Sequence, residues 1–319
     1  MLPIFDLRRF STGQGAARRA FAAELARACE EVGFFYLAGH GVAPETLGAV
    51  RGAAEAFFAL PRAEKLRVER PRGRYRGYIP PSRFTETAAG RPPVTYEAFL
   101  AGEEVGPEDP AVAASGGLLM PNIWPEAPEG FPAAVCAYRD ALRQVAEELL
   151  RAFGLALCSE EDRLLHHFNK PLSNLSLLHY LPRPQSDVSA SDDARAHYDT
   201  NALTVLLPGE TGGLEALSRD GAWMEVPPRE ESFVVNLGNM LACWSGGRFK
   251  STLHRVQPPL GVERYSLGYF AVPDYETQVT PLSPPQEDSD CTPIHAGKDL
   301  AAFVASCDAM VPAGEASPA

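Results

Sequence analysis

The chain opens with short apolar stretches that alternate with longer amphipathic ones. Residues 2–7 and 34–37 have the composition of short buried strands. Apolar residues recur at helical spacing after the first of these stretches, which predicts a helix from about residue 15 to residue 32 that ends at Gly33. The same spacing after the second stretch predicts a helix that ends before Pro61. A strand-helix-strand-helix unit therefore begins the chain.

Residues 70–130 are rich in Pro, Gly and Ala, which predicts loop for most of this region. The region also carries basic and aromatic side chains, and loops that combine the two often bind small molecules. Arg74, Tyr78 and Arg83 are therefore candidate substrate contacts.

Two regular elements are predicted in the second third of the chain. Apolar residues from Val135 to Phe153 form one stripe at helical spacing, which predicts a long amphipathic helix closed by Gly154. Residues 176–182 alternate as a strand in which Leu178 and Tyr180 share one face.

A histidine and an aspartate two positions apart are the first candidate chemistry. In an extended strand His197 and Asp199 point the same way, while Tyr198 points to the other side. A third ligand has to come from elsewhere, and of the later histidines, His254 and His295, His254 lies in a strand-like stretch and is the better candidate. Two imidazoles and one carboxylate, with the remaining positions open, form the facial triad of non-heme Fe(II) oxygenases.

A second candidate group follows ten residues after His254. Arg264 and Ser266 alternate in a strand-like segment, so that a guanidinium and a hydroxyl project together. A buried arginine needs an anionic partner, and its planar fork suits a carboxylate. That partner is either an acidic residue of the protein or the carboxylate of a ligand, and the nearby His and Asp set favours the ligand.

The order of these motifs resembles the isopenicillin N synthase-like branch of the Fe(II)/2-oxoglutarate-dependent dioxygenases. The resemblance implies that His197, Asp199 and His254 bind iron. It also implies that Arg264 and Ser266 bind the distal carboxylate of 2-oxoglutarate and that Tyr180 contacts the same molecule. Plant members have an asparagine at the position of Leu178, so this chain departs from their pattern there. The matching segments are HYDTNALTVLL (197–207), GGLEAL (212–217), DGAWMEVPP (220–228), NLGNMLACWSGGRFKSTLHRV (236–256) and RYSLGYF (264–270).

The fold class that the resemblance implies is α+β, with a double-stranded β-helix (jelly-roll) core flanked by N-terminal and central helices. We expect an N-terminal dioxygenase region of helices, short strands and a substrate loop at 1–130 and a helical support at 131–171. The jelly-roll core is expected at 172–280 and a C-terminal extension at 281–319.

The implied reaction uses Fe(II), 2-oxoglutarate and O2. It oxidises a small metabolite or natural-product intermediate, by default through hydroxylation, and releases succinate and CO2. Two alternatives remain open. In an isopenicillin N synthase-type oxidative cyclase, Arg264 and Ser266 would hold the carboxylate of the substrate itself, without 2-oxoglutarate. In a non-catalytic jelly-roll metal-binding protein the triad would only hold an ion, although structural zinc prefers a closed site of four ligands.

The amino-acid composition indicates which kinds of partner the protein binds. A formal net charge of -12 argues against nucleic acid, and 45% apolar with 22% charged residues is ordinary for a globular protein. No apolar run is long enough for a membrane helix, and the first residues lack the pattern of a signal peptide. We therefore expect a cytoplasmic monomer or weak homodimer that acts on a small molecule. The six scattered cysteines predict reduced thiols.

Overall fold

A computed structural model gives the structure of the protein. Of the candidate residues, only Arg83 lies outside the part that it describes. The described residues are 2–81, 96–182, 196–257, 260–286 and 291–309.

Helices and strands alternate in the first half of the chain, and strands dominate the second half. The helices are α1 (Arg8–Ser11), α2 (Ala16–Glu31), α3 (Pro44–Phe58), α4 (Arg62–Leu66), α5 (Pro110–Ala114), α6 (Phe131–Cys158), α7 (Asn239–Trp244) and α8 (Ala296–Ala309). The strands are β1 (Ile4–Asp6), β2 (Phe34–Ala38), β3 (Gly77–Ile79), β4 (Tyr96–Gly102), β5 (Asn174–Tyr180), β6 (Leu203–Leu207), β7 (Leu214–Leu217), β8 (Trp223–Glu225), β9 (Ser232–Leu237), β10 (His254–Val256), β11 (Arg264–Ala271), β12 (Gln278–Val279) and β13 (Ile294–His295).

Eight strands form the large sheet, in the order β1-β2-β9-β6-β11-β5-β4-β3. The pair β1 and β2 runs parallel, and the other neighbouring pairs run antiparallel. A small antiparallel sheet has the order β10-β7-β8, and β12 pairs with β13.

The two faces of the large sheet have different neighbours. On the inner face, Phe34 and Val234 pack against Leu214 and Ala216 of the small sheet. On the outer face, apolar side chains such as Val235 join the main core with the buried stripes of α2, α3 and α6. Two sheets that face each other across an apolar layer, with helices behind the larger one, form the jelly-roll core of an α+β protein.

The helices that the amphipathic patterns predict are present, but one of them ends later than predicted. Gly33 follows α2 with a φ of +69°, as expected of a residue that ends a helix. Gly154 does not end α6, which continues to Cys158. A Cβ at position 154 would lie 2.6 Å from the carbonyl oxygen of Glu160, so this glycine allows a close approach of the next turn instead. None of the described helices is long and apolar enough to cross a membrane.

The expectation of loop for most of residues 70–130 does not hold for β3 and β4. Residues 98–101 of β4 form an apolar run that is buried between β3 and β5. The abundance of Pro, Gly and Ala around this run hides a seven-residue strand in the sheet.

Candidate active site

Three potential metal ligands meet where the inner face of the large sheet approaches the small sheet. Ligand atoms of His197, Asp199 and His254 all lie within 4.8 Å of one another. The Oδ1 atom of Asp199 is 3.6 Å from Nε2 of His197 and 3.8 Å from Nε2 of His254. Tyr198 is half exposed on the other side of the chain. Long-range folding thus joins the His-x-Asp pair to the distant histidine.

The backbone holds the two histidines next to each other. The amide of His197 donates to the carbonyl of His254 at 2.9 Å, and the reverse bond is 3.0 Å. His254 also lies on β10, where it pairs with Ala216 of the small sheet. The small sheet therefore carries one imidazole, and the chain that enters the large sheet carries the other imidazole and the carboxylate.

Two side chains of the large sheet fix the Asp199 carboxylate. Its Oδ2 atom accepts hydrogen bonds from the Thr204 hydroxyl at 2.5 Å and from Nδ2 of Asn236 at 2.7 Å. Oδ1 is left facing the imidazoles. Burial raises the pKa of Asp199, but the charges of His254 and His197 and the two hydrogen bonds outweigh burial, so the pKa lies below its usual value. Asp199 thus presents an ionised, oriented carboxylate that could bind a metal ion.

His254 directs its Nε2 atom, and not Nδ1, toward Asp199. Its Nδ1 atom lies 3.0 Å from the carbonyl oxygen of Thr252, so Nδ1 carries the proton and Nε2 keeps its lone pair. Burial lowers the pKa of His254, which favours the neutral imidazole that a metal requires. The ring is packed edge-on against Phe34, with ring centres 5.5 Å apart.

Arg264 lies at the start of β11 as a buried cation. Its Nε atom donates to the carbonyl of Gly212 at 2.8 Å, and its guanidinium carbon is 4.8 Å from the centre of the Tyr180 ring. Nη1 is buried and has no hydrogen-bond partner within the described residues. Burial lowers the pKa of Arg264, and a hydrogen bond with Tyr180 acts in the opposite direction. No described acidic residue forms an ion pair with this guanidinium, so it is suited to bind an anion from outside the chain.

Ser266 and Tyr180 share the inner face with Arg264. Arg264 pairs with Tyr180 across the two strands, and Ser266 pairs with Leu178. Ser266 is 2% exposed. Leu178 is half-buried and packs against Ala98 of the next strand, so an apolar surface replaces the polar side chain that plant relatives would have there.

Two of the three weak substrate candidates, Tyr78 and Arg74, are not brought to this site. Tyr78 is buried on the outer face, where its hydroxyl donates to Glu97. The alternation of β3 sends Ile79, rather than Tyr78, to the inner face. Arg74 is exposed, and its guanidinium lies against Gly117.

The sequence interpretation missed the two residues that bind and orient the Asp199 carboxylate. Thr204 and Asn236 lie on neighbouring strands and pair directly with each other on the inner face. Thr204 is the one polar residue of β6, and Asn236 interrupts an apolar run of β9, and these irregularities were the available signal.

The rest of the inner face near the triad is apolar and aromatic. Phe270 pairs with Thr204, and Leu206 pairs with Gly268 on the same pair of strands. Phe270, Leu206 and Leu178 are only half-buried. Partly exposed apolar side chains on an inward surface can contact a small organic molecule.

Two family models match the chain. Residues 2–127 match the model described as non-haem dioxygenase in morphine synthesis N-terminal, and residues 171–273 match that of the 2OG-Fe(II) oxygenase superfamily. The second segment contains the triad, Arg264 and Ser266.

Full-length relatives show the same similarity. A "2-oxoglutarate-Fe(II) type oxidoreductase" of Aspergillus fumigatus is 32% identical over 282 residues, which are 86% of this chain and 83% of the relative. The "2-oxoglutarate-dependent dioxygenase citB" of Monascus ruber is 32% identical over 292 residues, which are 88% and 87% of the two chains. A full-length Neurospora crassa protein, solved in complex with alpha-KG (2-oxoglutarate) and thymine, superposes with a TM-score of 0.83 at 25% identity and covers 96% of both chains.

Proposed function

The chain belongs to the Fe(II)/2-oxoglutarate-dependent dioxygenase superfamily, and we propose which of its residues perform the reaction and what kind of molecule they act on. Its cofactor is Fe(II), and its co-substrates are 2-oxoglutarate and O2. The enzyme oxidises a small molecule and releases succinate and CO2. The similarities do not favour an oxidase without 2-oxoglutarate or a non-catalytic metal-binding protein.

We propose that His197, Asp199 and His254 hold the iron. Two neutral imidazoles and one ionised carboxylate suit ferrous iron, and the positions without protein ligands remain for 2-oxoglutarate and O2. When bound, the iron brings the keto acid and O2 together, so that decarboxylation of the keto acid drives oxidation of a substrate C–H bond. Thr204 and Asn236 keep the carboxylate oriented by binding its other oxygen.

Arg264, Ser266 and Tyr180 would bind the distal carboxylate of 2-oxoglutarate. The observation that carries this proposal is the buried Nη1 atom of Arg264, which lacks a partner within the described residues. A carboxylate would satisfy that donor and neutralise the buried charge, and it could accept a further bond from the Ser266 hydroxyl. The two groups would orient the keto acid with its other end toward the triad.

The substrate would be a small metabolite or natural-product intermediate with a largely apolar or planar skeleton. Phe270, Leu206 and Leu178 offer half-buried apolar surface on the inner face beside the triad and Ser266. Such a surface excludes water from the reacting C–H bond and positions it by packing. Hydroxylation is the default outcome. Arg74 and Tyr78 do not enter this proposal, because neither is directed to the inner face.

We also propose the wider setting of the enzyme. A formal charge of -12 supports a small-molecule partner rather than nucleic acid, in a cytoplasmic monomer or weak homodimer. The four-part division of the chain at 1–130, 131–171, 172–280 and 281–319 is retained as part of this proposal. In support, α6 (Phe131–Cys158) opens the second part and β5 to β11 lie within the third.

Two measurements test the proposed function. Ferrous protein mixed anaerobically with 2-oxoglutarate should develop the weak visible absorption band of a chelated keto acid. Pooled metabolites should then be screened for those that stimulate release of succinate. Absence of the band, together with O2 consumption by substrate alone, would show that the arginine binds the substrate and not 2-oxoglutarate.

A further inference from the structure

Tyr75 lies in the segment before β3, at the border of the inner face. Its half-buried ring packs against an apolar cluster of the inner face and also against the main core. The cluster includes Ala98 and Leu178, and Leu178 pairs with Ser266 across the sheet. The Tyr75 hydroxyl forms no hydrogen bond within the described part of the chain, so this donor is free for a ligand.

Arg76 anchors the backbone of Tyr75 to the large sheet. Arg76 is fully buried, and its Nη1 atom donates to the carbonyl of Tyr75 at 2.8 Å and to Oδ1 of Asn174 at 3.3 Å. Gly102 leaves the space for this guanidinium, since a Cβ at that position would lie 1.8 Å from Nη2 of Arg76. Arg76 therefore links the backbone of Tyr75 to Asn174, the first residue of β5.

That end of β5 is the end nearest to the triad. Asn174 pairs with Phe270, and Phe270 pairs with Thr204, whose hydroxyl binds the Asp199 carboxylate. The side chains of Asn174, Phe270 and Thr204 lie in one row across the inner face, and Asp199 adjoins its end. Burial raises the pKa of Tyr75, and the negative charge of Asp199 contributes to the same shift, which agrees with this placement.

The C-terminal helix α8 fixes the turn that carries Tyr75. The Asp308 carboxylate forms an ion pair with the Arg70 guanidinium and accepts a hydrogen bond from the amide of Gly73 at 2.6 Å. Arg72 donates to the Asp308 carbonyl at 2.8 Å. Arg70 and Asp308 are both buried. The last turn of α8 thus binds the residues just before Tyr75 through three polar contacts.

A cavity and an aromatic contact lie on the α8 side of the turn. A cavity of about 350 Å³ separates it from the segment around Ser115, and Gly73 and Val304 are among the residues that line the cavity. Phe303 of α8 meets the Tyr75 ring edge-on, with ring centres 6.4 Å apart. The polar contacts of Asp308 thus hold the turn from the α8 side, in addition to the Arg70–Arg74 hydrogen bond within the turn and the contacts of Arg76. Phe303 adds an apolar contact to the tyrosine itself.

We infer that Tyr75 lies on the substrate side of the active site, and that α8, through Asp308, holds it there. Tyr75 is then a substrate-contacting residue, and Asp308 is a positioning residue. The free phenol hydroxyl would donate to a carbonyl or carboxylate of a substrate whose planar or apolar skeleton lies along the inner face. This inference rests on the proposed metal site, and it makes the C-terminal helix part of the substrate site.

Fluorine NMR of the full chain labelled with 3-fluorotyrosine tests this placement without a known substrate. The resonances of Tyr75 and Tyr198 are assigned with the Tyr75→Phe and Tyr198→Phe variants, and Mn(II) is added with 2-oxoglutarate. Paramagnetic relaxation should affect Tyr75 about as strongly as Tyr198, which lies between two proposed ligands. Zn(II), which is diamagnetic, is the control and should leave both lines sharp.

The outcomes separate the inference from the proposed metal site. Strong relaxation of Tyr198 with weak relaxation of Tyr75 would overturn the placement of Tyr75. No relaxation of Tyr198 would mean that the metal does not bind at the triad, and the inference would fall together with the proposed site.

Variants of α8 test the positioning role. Asp308→Asn, or the more severe Asp308→Ala, should weaken the relaxation of Tyr75 by Mn(II) and leave that of Tyr198 unchanged. Asp299→Asn is the matched control, because Asp299 lies on the same helix and makes no hydrogen bond to the turn. Equal relaxation of Tyr75 in the Asp308 and Asp299 variants, at an unchanged melting temperature, would show that α8 does not position the tyrosine.

Discussion

Arg264 and Tyr180 face each other across two neighbouring strands, with the guanidinium carbon 4.8 Å from the centre of the tyrosine ring. One guanidinium nitrogen of Arg264, Nη1, is buried and has no hydrogen-bond partner among the described residues. A buried cation in this state gains stability when a carboxylate binds, and its removal should weaken the binding of that carboxylate.

Arg264→Ala should therefore raise the apparent KM for 2-oxoglutarate. A buried carboxylate that loses its charged partner costs about 3 kcal/mol or more, which is roughly a hundredfold in binding. Steady-state succinate release measures the change. A keto acid that lacks the C5 carboxylate should be affected less, and Arg151→Ala, on the partly exposed side of α6, is the control for loss of an arginine. An unchanged KM would exclude Arg264 from the 2-oxoglutarate site.

Replacement of His197, Asp199 or His254 by Ala should abolish turnover and iron binding but keep the fold. The three side chains converge on one another and not on the packed core, so their removal leaves the main apolar cluster intact. Metal analysis of the purified variants, with circular dichroism for the fold, measures both effects. His295→Ala is the matched control on a distant strand. Full activity in His254→Ala would show that the third ligand is wrongly assigned.

Thr204→Val should weaken iron binding without removing a ligand. The Thr204 hydroxyl binds Oδ2 of Asp199 at 2.5 Å and accepts a bond from Nδ2 of Asn201 at 2.8 Å. Loss of a group that orients a metal ligand typically costs about 10- to 100-fold in metal affinity. Titration with Fe(II) under anaerobic conditions measures the affinity. Thr46→Val, at a half-buried position in the first turn of α3, should have no effect, and equal affinities of the two variants would contradict the orienting role.

A buried ion pair behind the site should control stability and not catalysis. Nζ of Lys65 lies 2.7 Å from Oε2 of Glu97, which also binds the His179 ring and the Tyr78 hydroxyl on the outer face. Lys65→Met should lower the free energy of unfolding by about 3 to 5 kcal/mol, because it leaves a buried carboxylate without its cation. Urea unfolding measures the loss. The double variant Lys65→Met/Glu97→Gln should recover part of the loss, and a double variant no more stable than the single one would contradict this account.

The Glu97 carboxylate also predicts how the free energy of unfolding changes at acid pH. Burial raises the pKa of Glu97, but hydrogen bonds from His179, Lys65 and Tyr78 outweigh burial, so the folded pKa lies below 4.5. Its contribution to stability is fully present above 4.5 and is lost as the pH falls through the folded value. Unfolding free energy should therefore decrease below pH 4.5, and it should decrease less steeply in Glu97→Gln. Parallel slopes for the two proteins would contradict this source of acid sensitivity.

Local patterns in the sequence predicted the helices and strands that depend on the spacing of neighbouring residues. The period of two in β11 places Arg264 and Ser266 on one face, and the helical spacing of apolar residues predicted α2 and α6. The family, the jelly-roll core and the use of Fe(II) and 2-oxoglutarate were also predicted, because motifs in a specific order carry that information. The roles of the individual site residues stay predictions until they are measured.

Only the tertiary structure decided which side chains meet. The register of β9, β6 and β11 brings Thr204 and Asn236 to Asp199, and nothing near Asp199 in the sequence specifies that register. The arginine at position 76 reaches the sheet because residue 102 is a glycine, and the turn before Tyr75 depends on a carboxylate more than 200 residues away. A strand's own pattern tells which residues share a face, but the pairing of strands depends on packing over the whole chain. Contacts between distant segments form only when that packing is complete, so they cannot be inferred from local alternation.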